Sequence, residues 1–416
     1  MIYWAPLLHF YQPPAQTYEI LERVCNESYR PLMGLISQEP VARVTVNICG
    51  VLTEMLVQHC MEDVVSEIRK LAEEGKIELT GSAKYHPIMP LIPQEEMLRQ
   101  IELNLATNRR YLGEIYHPRG FFLPEMAYGK NVLTPILKMG YDWLLLSGIA
   151  CPVEWPTRII YQTSEGKQKL AVFFRDDILS NKISFQSVDA AGFIDSLRNL
   201  ANSDGDIYVI TAMDAETFGH HVKDWENLFL RKVLEAVRNT DTLDVPSKSS
   251  GFLEIKLITI SQLTDIFPKS KFIDPYPSSW STSKDDIGKG IPYPLWDSGD
   301  NPLHTLQWQL LNLAIELTNK AVAVSSSNEA RFYANEARQL LDEAEHSCPF
   351  WWASKKPVRN LSLISRAVSE QSQTILNAYQ AIKLSNIDEK ERIEAYYRVV
   401  TAFGFRDKII DALIMS

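Results

Sequence analysis

A parallel α/β fold followed by a helical C-terminal part is what this 416-residue sequence predicts, and three observations predict it. Over roughly the first 260 residues, short apolar runs alternate with stretches of helical period. The runs are near-continuous, as in strands covered on both faces, where alternation of apolar and polar residues is lost. From 303 onward the apolar residues repeat at helical spacing alone, and an irregular segment separates the two regimes. Strand–helix alternation of this kind fits a βα barrel or an open α/β sheet.

Strands are expected at 2–8, 43–49, 76–80, 119–124, 142–147, 170–175, 206–212 and 252–260. Helices fill the spaces between them. In 54–75, Leu56, Cys60, Val64, Ile68 and Leu71 share one helical face, and Gly75 stands where a helix stop belongs. Residues 267–302 are rich in Pro, Gly, Ser and aromatics, with neither period. A long irregular segment is functional or disordered, and the aromatic content favours function. Beyond it, Leu303, Leu306, Leu310, Leu313, Leu317 and Ala321 form one stripe, and Tyr333, Ala337, Leu340, Leu341 and Ala344 a second. Ile364, Val368, Ile375, Tyr379 and Ile382 form a third, and a last helix starting near Asp388 carries Ile393, Tyr397 and Val400. Together they predict a helical bundle.

Composition narrows the function classes. The formal charge is 42 − 52 = −10 with no basic stripe, which argues against nucleic acid as a partner. Five cysteines, an odd number without a CxxC pair, point to reduced thiols, a cytoplasmic setting and no cysteine zinc site. The apolar start, "MIYWAPLLHFYQPPA", reads as a first strand and not a leader. No run reaches the ~18 apolar residues of a membrane span, so no membrane partner is expected.

In parallel α/β folds, functional side chains collect at the carboxyl ends of the strands. The first strand ends in His9, followed by Gln12; the third runs into "KYHPIMP" with His86; the fourth ends in Glu125. The sixth ends in Arg175, Asp176 and Asp177, and the seventh in Asp214, with Glu216, His220 and His221 just beyond. Two carboxylates across a pocket suit glycosidic bond cleavage, one attacking the anomeric carbon and one protonating the leaving oxygen. Trp280 and Trp296, in the aromatic segment, suit stacking on sugar faces. Each residue also has an ordinary structural reading. A strand-end acid is commonly a helix cap or an ion-pair member. Asp176 and Asp177 are read that way here, His220–His221 can be a polar helix start, and His9 a satisfied buried histidine.

Taken together, the motifs resemble glycoside hydrolase family 57. "HFYQPP" (9–14), "GKIELTGSAKYHPIMPLIP" (75–93), "GFFLPEMAY" (120–128), "TAMDAETFGHH" (211–221) and "SSW…PLW" (278–296) are similar to that family's five motifs, in the right order. The third and fourth are the specific ones. The resemblance implies a distorted (β/α)7 barrel followed by a C-terminal helical bundle, retaining chemistry on α-glucans, and neither cofactor nor metal. Glu125 takes the place of the nucleophile and Asp214 that of the acid/base. His9, Gln12, His86, Glu216, His220, Trp280 and Trp296 fall at substrate-binding positions. Seven barrel strands against eight expected ones leave at least one strand misread or outside the barrel.

The implied organisation is a catalytic barrel over 1–265, an aromatic-rich loop over its mouth at 266–302, and a helical domain over 303–416. Ala215 stands where the family has glycine, which puts the local backbone at Asp214 in question because alanine resists positive φ. The chain is also short for the family, which points to small or unusual glucans. Rival readings are a metal-dependent polysaccharide deacetylase, an α-mannosidase-like zinc hydrolase using His9, Asp214 and a second histidine, and a non-catalytic carbohydrate-binding homologue. Adjacent histidines fit the deacetylase poorly, since it needs them about one helical turn apart.

Overall fold

The computed structural model describes all residues except Glu154, 202–204, 243–253, 355–358 and Ser416, with backbone alone at 240–242. Ten strands are present among the described residues: β1 (Ile2–Phe10), β2 (Val44–Ile48), β3 (Ile77–Leu79), β4 (Gly120–Phe122), β5 (Trp143–Ser147), β6 (Ile160–Glu165), β7 (Gln168–Arg175), β8 (Ile207–Asp214), β9 (Ile255–Leu257) and β10 (Lys269–Phe272). One sheet runs β3-β2-β1-β8, and a second runs β4-β5-β7-β6-β10. All pairings are parallel except the β6–β7 hairpin, which turns at Gly166.

Two seams join the sheets. At the first, Gly81 bridges to Phe121, with Gly81 N–H to Gly120 O at 2.8 Å and Phe122 N–H to Gly81 O at 2.9 Å. At the second, Asp176 N–H reaches Ile210 O at 2.7 Å. The ring order is therefore β8-β1-β2-β3, then β4-β5-β7. At the seams these seven parallel strands meet through only one or two backbone hydrogen bonds instead of regular ladders, which is the distortion of the (β/α)7 barrel. Seven of the eight expected strands make this ring. The eighth, β9, lies off it: it pairs with β1 only at Ile2–Trp4, while β2 takes the same edge at Leu7–Phe10. The start of the expected 252–260 strand lies outside the described residues.

Period two explains the barrel core. Ala5 and Leu7 of β1, Phe122 of β4, Trp143 and Leu145 of β5, Ala171 and Phe173 of β7, and Tyr208, Ile210 and Ala212 of β8 pack in one buried cluster. Alternate residues of a strand share a face, so these define the inner face.

Expectations about local structure in the first 302 residues need correction at two places. Residues 54–75 are not one helix. They divide into Gly50–Gln58 and Glu62–Glu73, because Cys60 takes a left-handed φ of 58° and is exposed, off the buried face of Leu56, Val64, Ile68 and Leu71. Nor is 267–302 wholly irregular: it holds β10 and a short helix, Lys284–Gly288.

The chain forms two compact units, 1–84 with 93–280, and 85–92 with 281–416. The second is helical, with long helices Pro302–Val324, Asn328–Ala344, Leu361–Lys383 and Glu389–Ile414. Their starts are capped by the side chains of Asn301, Ser327, Asn360 and Asp388. The last helix buries Ala395, Val399, Ala402, Ile409 and Leu413, and leaves Ile393, Tyr397 and Val400 at 45%, 64% and 49% exposure. Its small-residue face is the one that packs, contrary to the expected stripe. No described helix is long and apolar enough to cross a membrane.

Candidate active site

Continuing each inner-face series to the strand's carboxyl end gives the polar rim. Ala5 and Leu7 lead to His9, Leu145 to Ser147, Phe173 to Arg175, and Ala212 to Asp214; Thr45 of β2 leads likewise to Asn47. His9 and Asp214 are register partners on adjacent strands. His9 is buried, and its Nδ1 lies 2.7 Å from Asn47 Oδ1. The Asn47 amide nitrogen faces Thr80 Oγ1 at 2.9 Å and the carbonyl of Gly81 at 3.4 Å, and that carbonyl can only accept. Asn47 Oδ1 therefore faces His9, and His9 Nδ1 donates to it. Burial drives the imidazole pKa down to about 4 against the opposing pull of Asn47, so the ring is neutral, with Nε2 as the unprotonated nitrogen.

Glu125 follows β4 in a tight turn. It holds φ 56° and ψ 14°, and Met126 follows at φ 48°. Two successive left-handed non-glycine residues are costly, and such strain gathers where a side chain must be aimed. The aim is fixed by Trp280, whose Nε1–H donates to Glu125 Oε2 at 2.9 Å and whose backbone N–H donates to Glu125 O at 3.2 Å. A short strap holds Trp280 there: Tyr128 and Ser278 exchange backbone bonds at 2.8 and 3.1 Å. The Phe122 ring stacks on His9 at 4.9 Å, and Trp280 meets His9 edge-on at 6.0 Å. His9 thus stands between the two acids, beside Asp214 in register and against the indole that holds Glu125.

Asp214 is followed by a 3-10 turn, Ala215–Thr217. Ala215 is fully buried and is not among the residues with positive φ, so alanine is unstrained there. Glu216 Oε1 accepts from Gln12 Nε2 at 3.0 Å and from the hydroxyl of Tyr29. Tyr29 comes from a π-helical turn, Cys25–Tyr29, that clasps this segment, and Ser28 Oγ donates to Ala215 O at 2.9 Å. Dehydration raises the pKa of both Asp214 and Glu216. Arg175's charge pulls Asp214 back, whereas Asp214's negative charge pushes Glu216 further up against the bonds from Tyr29 and Gln12. The two carboxyls titrate as a pair and hold a proton above the ordinary carboxylate range.

A neutral histidine, an aimed carboxylate and a proton-holding carboxyl pair thus share one barrel rim. The profile described as "Glycosyl hydrolase family 57" matches residues 5–274, well over half of the chain. The chain belongs to glycosyl hydrolase family 57. Among family-57 relatives, it is 26% identical over 250 residues to an α-amylase of Pyrococcus horikoshii, covering 57% of this chain and 38% of that protein. It is 26% identical over 254 residues to a 4-α-glucanotransferase of Thermococcus litoralis, covering 58% and 37%. The chain thus matches under two fifths of the length of these curated relatives. A family-57 branching enzyme of Pyrococcus horikoshii superposes with a TM-score of 0.70 at 16% identity, over 95% of this chain and 94% of that one. Likeness at such identity establishes the fold.

Other expected residues of this family-57 chain have partners of their own. His220 Nδ1 is 2.6 Å from Glu27 Oε2, in the middle of the π-helical clasp. His86 and Trp296 belong to the helical unit: His86 Nδ1 lies 3.0 Å from Ser347 Oγ, and buried Trp296 accepts from Trp308 Nε1 through its carbonyl at 3.0 Å. Asp176 caps the helix Asp177–Ser184, and Asp177 pairs with Arg175, the structural roles read for them. Sequence reasoning missed Asn47 and Tyr29. The alternation from Thr45 carries the signal for Asn47, whereas a π-helical turn leaves none for Tyr29.

Proposed function

We propose that this chain is a glycosidase or transglycosidase that acts on α-glucans with retention, through a glycosyl-enzyme intermediate. One observation supports it above the rest: neutral His9 stands between Glu125, a carboxylate aimed by an indole N–H, and Asp214, which shares with Glu216 a proton held above the ordinary carboxylate range. Glu125 attacks the anomeric carbon while Asp214 gives its proton to the leaving glycosidic oxygen, so the C–O bond breaks as the ester forms. Asp214 then takes a proton from water or an acceptor sugar, whose oxygen displaces Glu125. Trp280, His9, Gln12 and Glu216 hold the sugar; His86, His220 and Trp296 are assigned to binding on their motifs alone. The relatives named above, an amylase, a glucanotransferase and a branching enzyme, direct the substrate class to α-glucans. The cysteine usage suits a cytoplasmic setting.

The test is a panel of maltooligosaccharides and glycogen with product sizing, which also separates hydrolysis from transfer. Glu125→Ala should stop turnover, and azide should restore cleavage with the opposite anomer. Turnover should persist in EDTA, since a carboxylate nucleophile needs no divalent ion. Loss in EDTA with recovery on zinc would move the reading to a metal-dependent hydrolase. A folded protein inert on every α-glucan would end it. In a sugar complex, the Glu125 and Asp214 carboxyls should lie about 5–5.5 Å apart, against about 6.5–9.5 Å for an inverting enzyme.

A further inference from the structure

Beside Asp214 the rim carries a buried cation with its own counter-charge. Arg175 ends β7, is 4% exposed, and projects from the inner face, as Asp214 does from the neighbouring β8. All three edges of its guanidinium are occupied. Nε donates to Ala212 O at 2.7 Å, two residues before Asp214; Nη1 donates to Asp177 Oδ1 at 2.8 Å; and Nη2 donates to Asn181 Oδ1 at 2.9 Å. Asp177 is fixed in turn by Ser147 Oγ, at 3.0 and 2.9 Å to its two oxygens, and by Ile149 N–H at 2.9 Å. This network spans β5, β7, β8 and the helix after β7, and it holds one positive and one negative charge rigidly next to the reacting carboxyl.

We propose that the Arg175–Asp177 pair is a charge balance that sets the pH at which Asp214 gives up its proton, with both residues acting as positioning residues. The inference rests on Asp214 being the acid/base. An uncompensated guanidinium beside Asp214 would favour its carboxylate and leave no proton to donate at neutral pH. Asp177 cancels most of that field at longer range, while the bond to Ala212 O keeps the cation from swinging into the pocket. Dehydration then prevails at Asp214 and Arg175 only moderates it, which agrees with the upward direction of its shift. Among the described residues, the other titratable groups about this rim include His9 from β1, Cys49 after β2, Glu125 after β4, Asp176 after β7, Glu216 after β8, Tyr29, which bonds Glu216, and His221, whose backbone N–H donates to Glu216 O at 2.7 Å. His9 is neutral, and Glu216 shares the titration.

The experiment compares kcat/KM against pH for the wild type, Asp177→Asn and Arg175→Gln, on an α-glucan that the wild type turns over. Asp177→Asn keeps the shape and leaves Arg175 unbalanced, so the alkaline limb should move down by roughly one pH unit. Arg175→Gln removes the cation and leaves Asp177 unbalanced, so the limb should move up. Opposite movements from the two members of one ion pair are the signature; a merely structural role would lower kcat without moving the limb. Asp177→Glu should restore the wild-type limb. Carbon-13 titration of the Asp carboxyls, with Asp214 assigned by Asp214→Asn, reads the same shift without turnover, and it suffices if Arg175→Gln fails to fold. An Asp214 titration unchanged in Asp177→Asn overturns the charge balance. A titration that moves while the rate limb stays supports the charge balance and overturns the acid role of Asp214.

Discussion

Glu125 carries its cost in the backbone. A non-glycine residue at φ 56° is disfavoured by about 1–2 kcal/mol, because its Cβ crowds the following carbonyl oxygen. Glu125→Gly removes that crowding and Glu125→Ala keeps it, while both lose the same carboxylate and the same bond to Trp280. The glycine variant should therefore be the more stable by about 1 kcal/mol, read as a difference in urea midpoint at equal m-value. Trp280→Phe tests the other half of the arrangement, since it keeps a ring against His9 but has no N–H for Glu125. Hydrogen bonds to charged groups contribute about 1.5–3 kcal/mol, so kcat should fall about 10- to 100-fold with KM little changed. An unchanged kcat would show that the indole N–H does not hold the carboxylate in its reactive pose. Both acids were legible because each closes an apolar run with an otherwise costly charge. Arg175 was legible as a strand end, but its pairing with Asp177 depends on the geometry of three neighbouring elements. Tyr29 was not legible, since the π-helical turn that aims it has no residue pattern distinct from an ordinary helix.

At the scale of elements, the seam between β3 and β4 depends on glycines. A Cβ at Gly120 would fall 1.9 Å from the Trp143 ring, and one at Gly81 would fall 2.3 Å from the Tyr141 hydroxyl. Trp143 cannot give way easily, because it is fully buried and its Nε1–H is held by Ser261 Oγ at 2.7 Å. Gly120→Ala should destabilise the barrel by at least about 1–3 kcal/mol, the usual cost of overpacking, and should lower activity through the displaced Glu125 turn. A melting temperature unchanged from wild type would show that the seam is more yielding than its contacts indicate. The strands that meet here were legible as continuous apolar runs. β6 and β10 were not, for opposite reasons. The outer half of β6 is polar where the hairpin leaves the core, and β10, KSKF, is exposed along its whole length. A strand that buries no face offers no period to read. The last helix of the bundle has two apolar stripes, and only packing decides that Ala395 and Ala402, not Tyr397, face inward.

For the whole molecule, the site chemistry sets a pH dependence of stability with a definite sign. Asp214 and Glu216 both have folded-state pKa values raised above their ordinary ones, first by dehydration. Between the unfolded value, near 4 for such carboxyls, and the folded one, the native state binds more protons than the unfolded state. Stability must then fall as pH rises through this window, by up to about 1.4 kcal/mol per pH unit for each proton held in excess. The excess stabilisation is fully present below pH ~4 and is lost once pH has passed the folded values. The acidic composition acts in the same direction, because the formal charge reaches −10 only once these two buried carboxyls are also ionised. Replacing both groups by neutral amides should flatten the slope. Asp214→Asn with Glu216→Gln should gain stability over the wild type at pH 8 and gain none at pH 4. With two compact units, a single global transition is not assured. Hydrogen exchange at the amides of β1 and β8 therefore measures the right quantity, the opening free energy of the strands that bear the acids. A gain of equal size at pH 4 and pH 8 would mean that the amides merely pack better, and that neither carboxyl keeps its proton in the folded barrel.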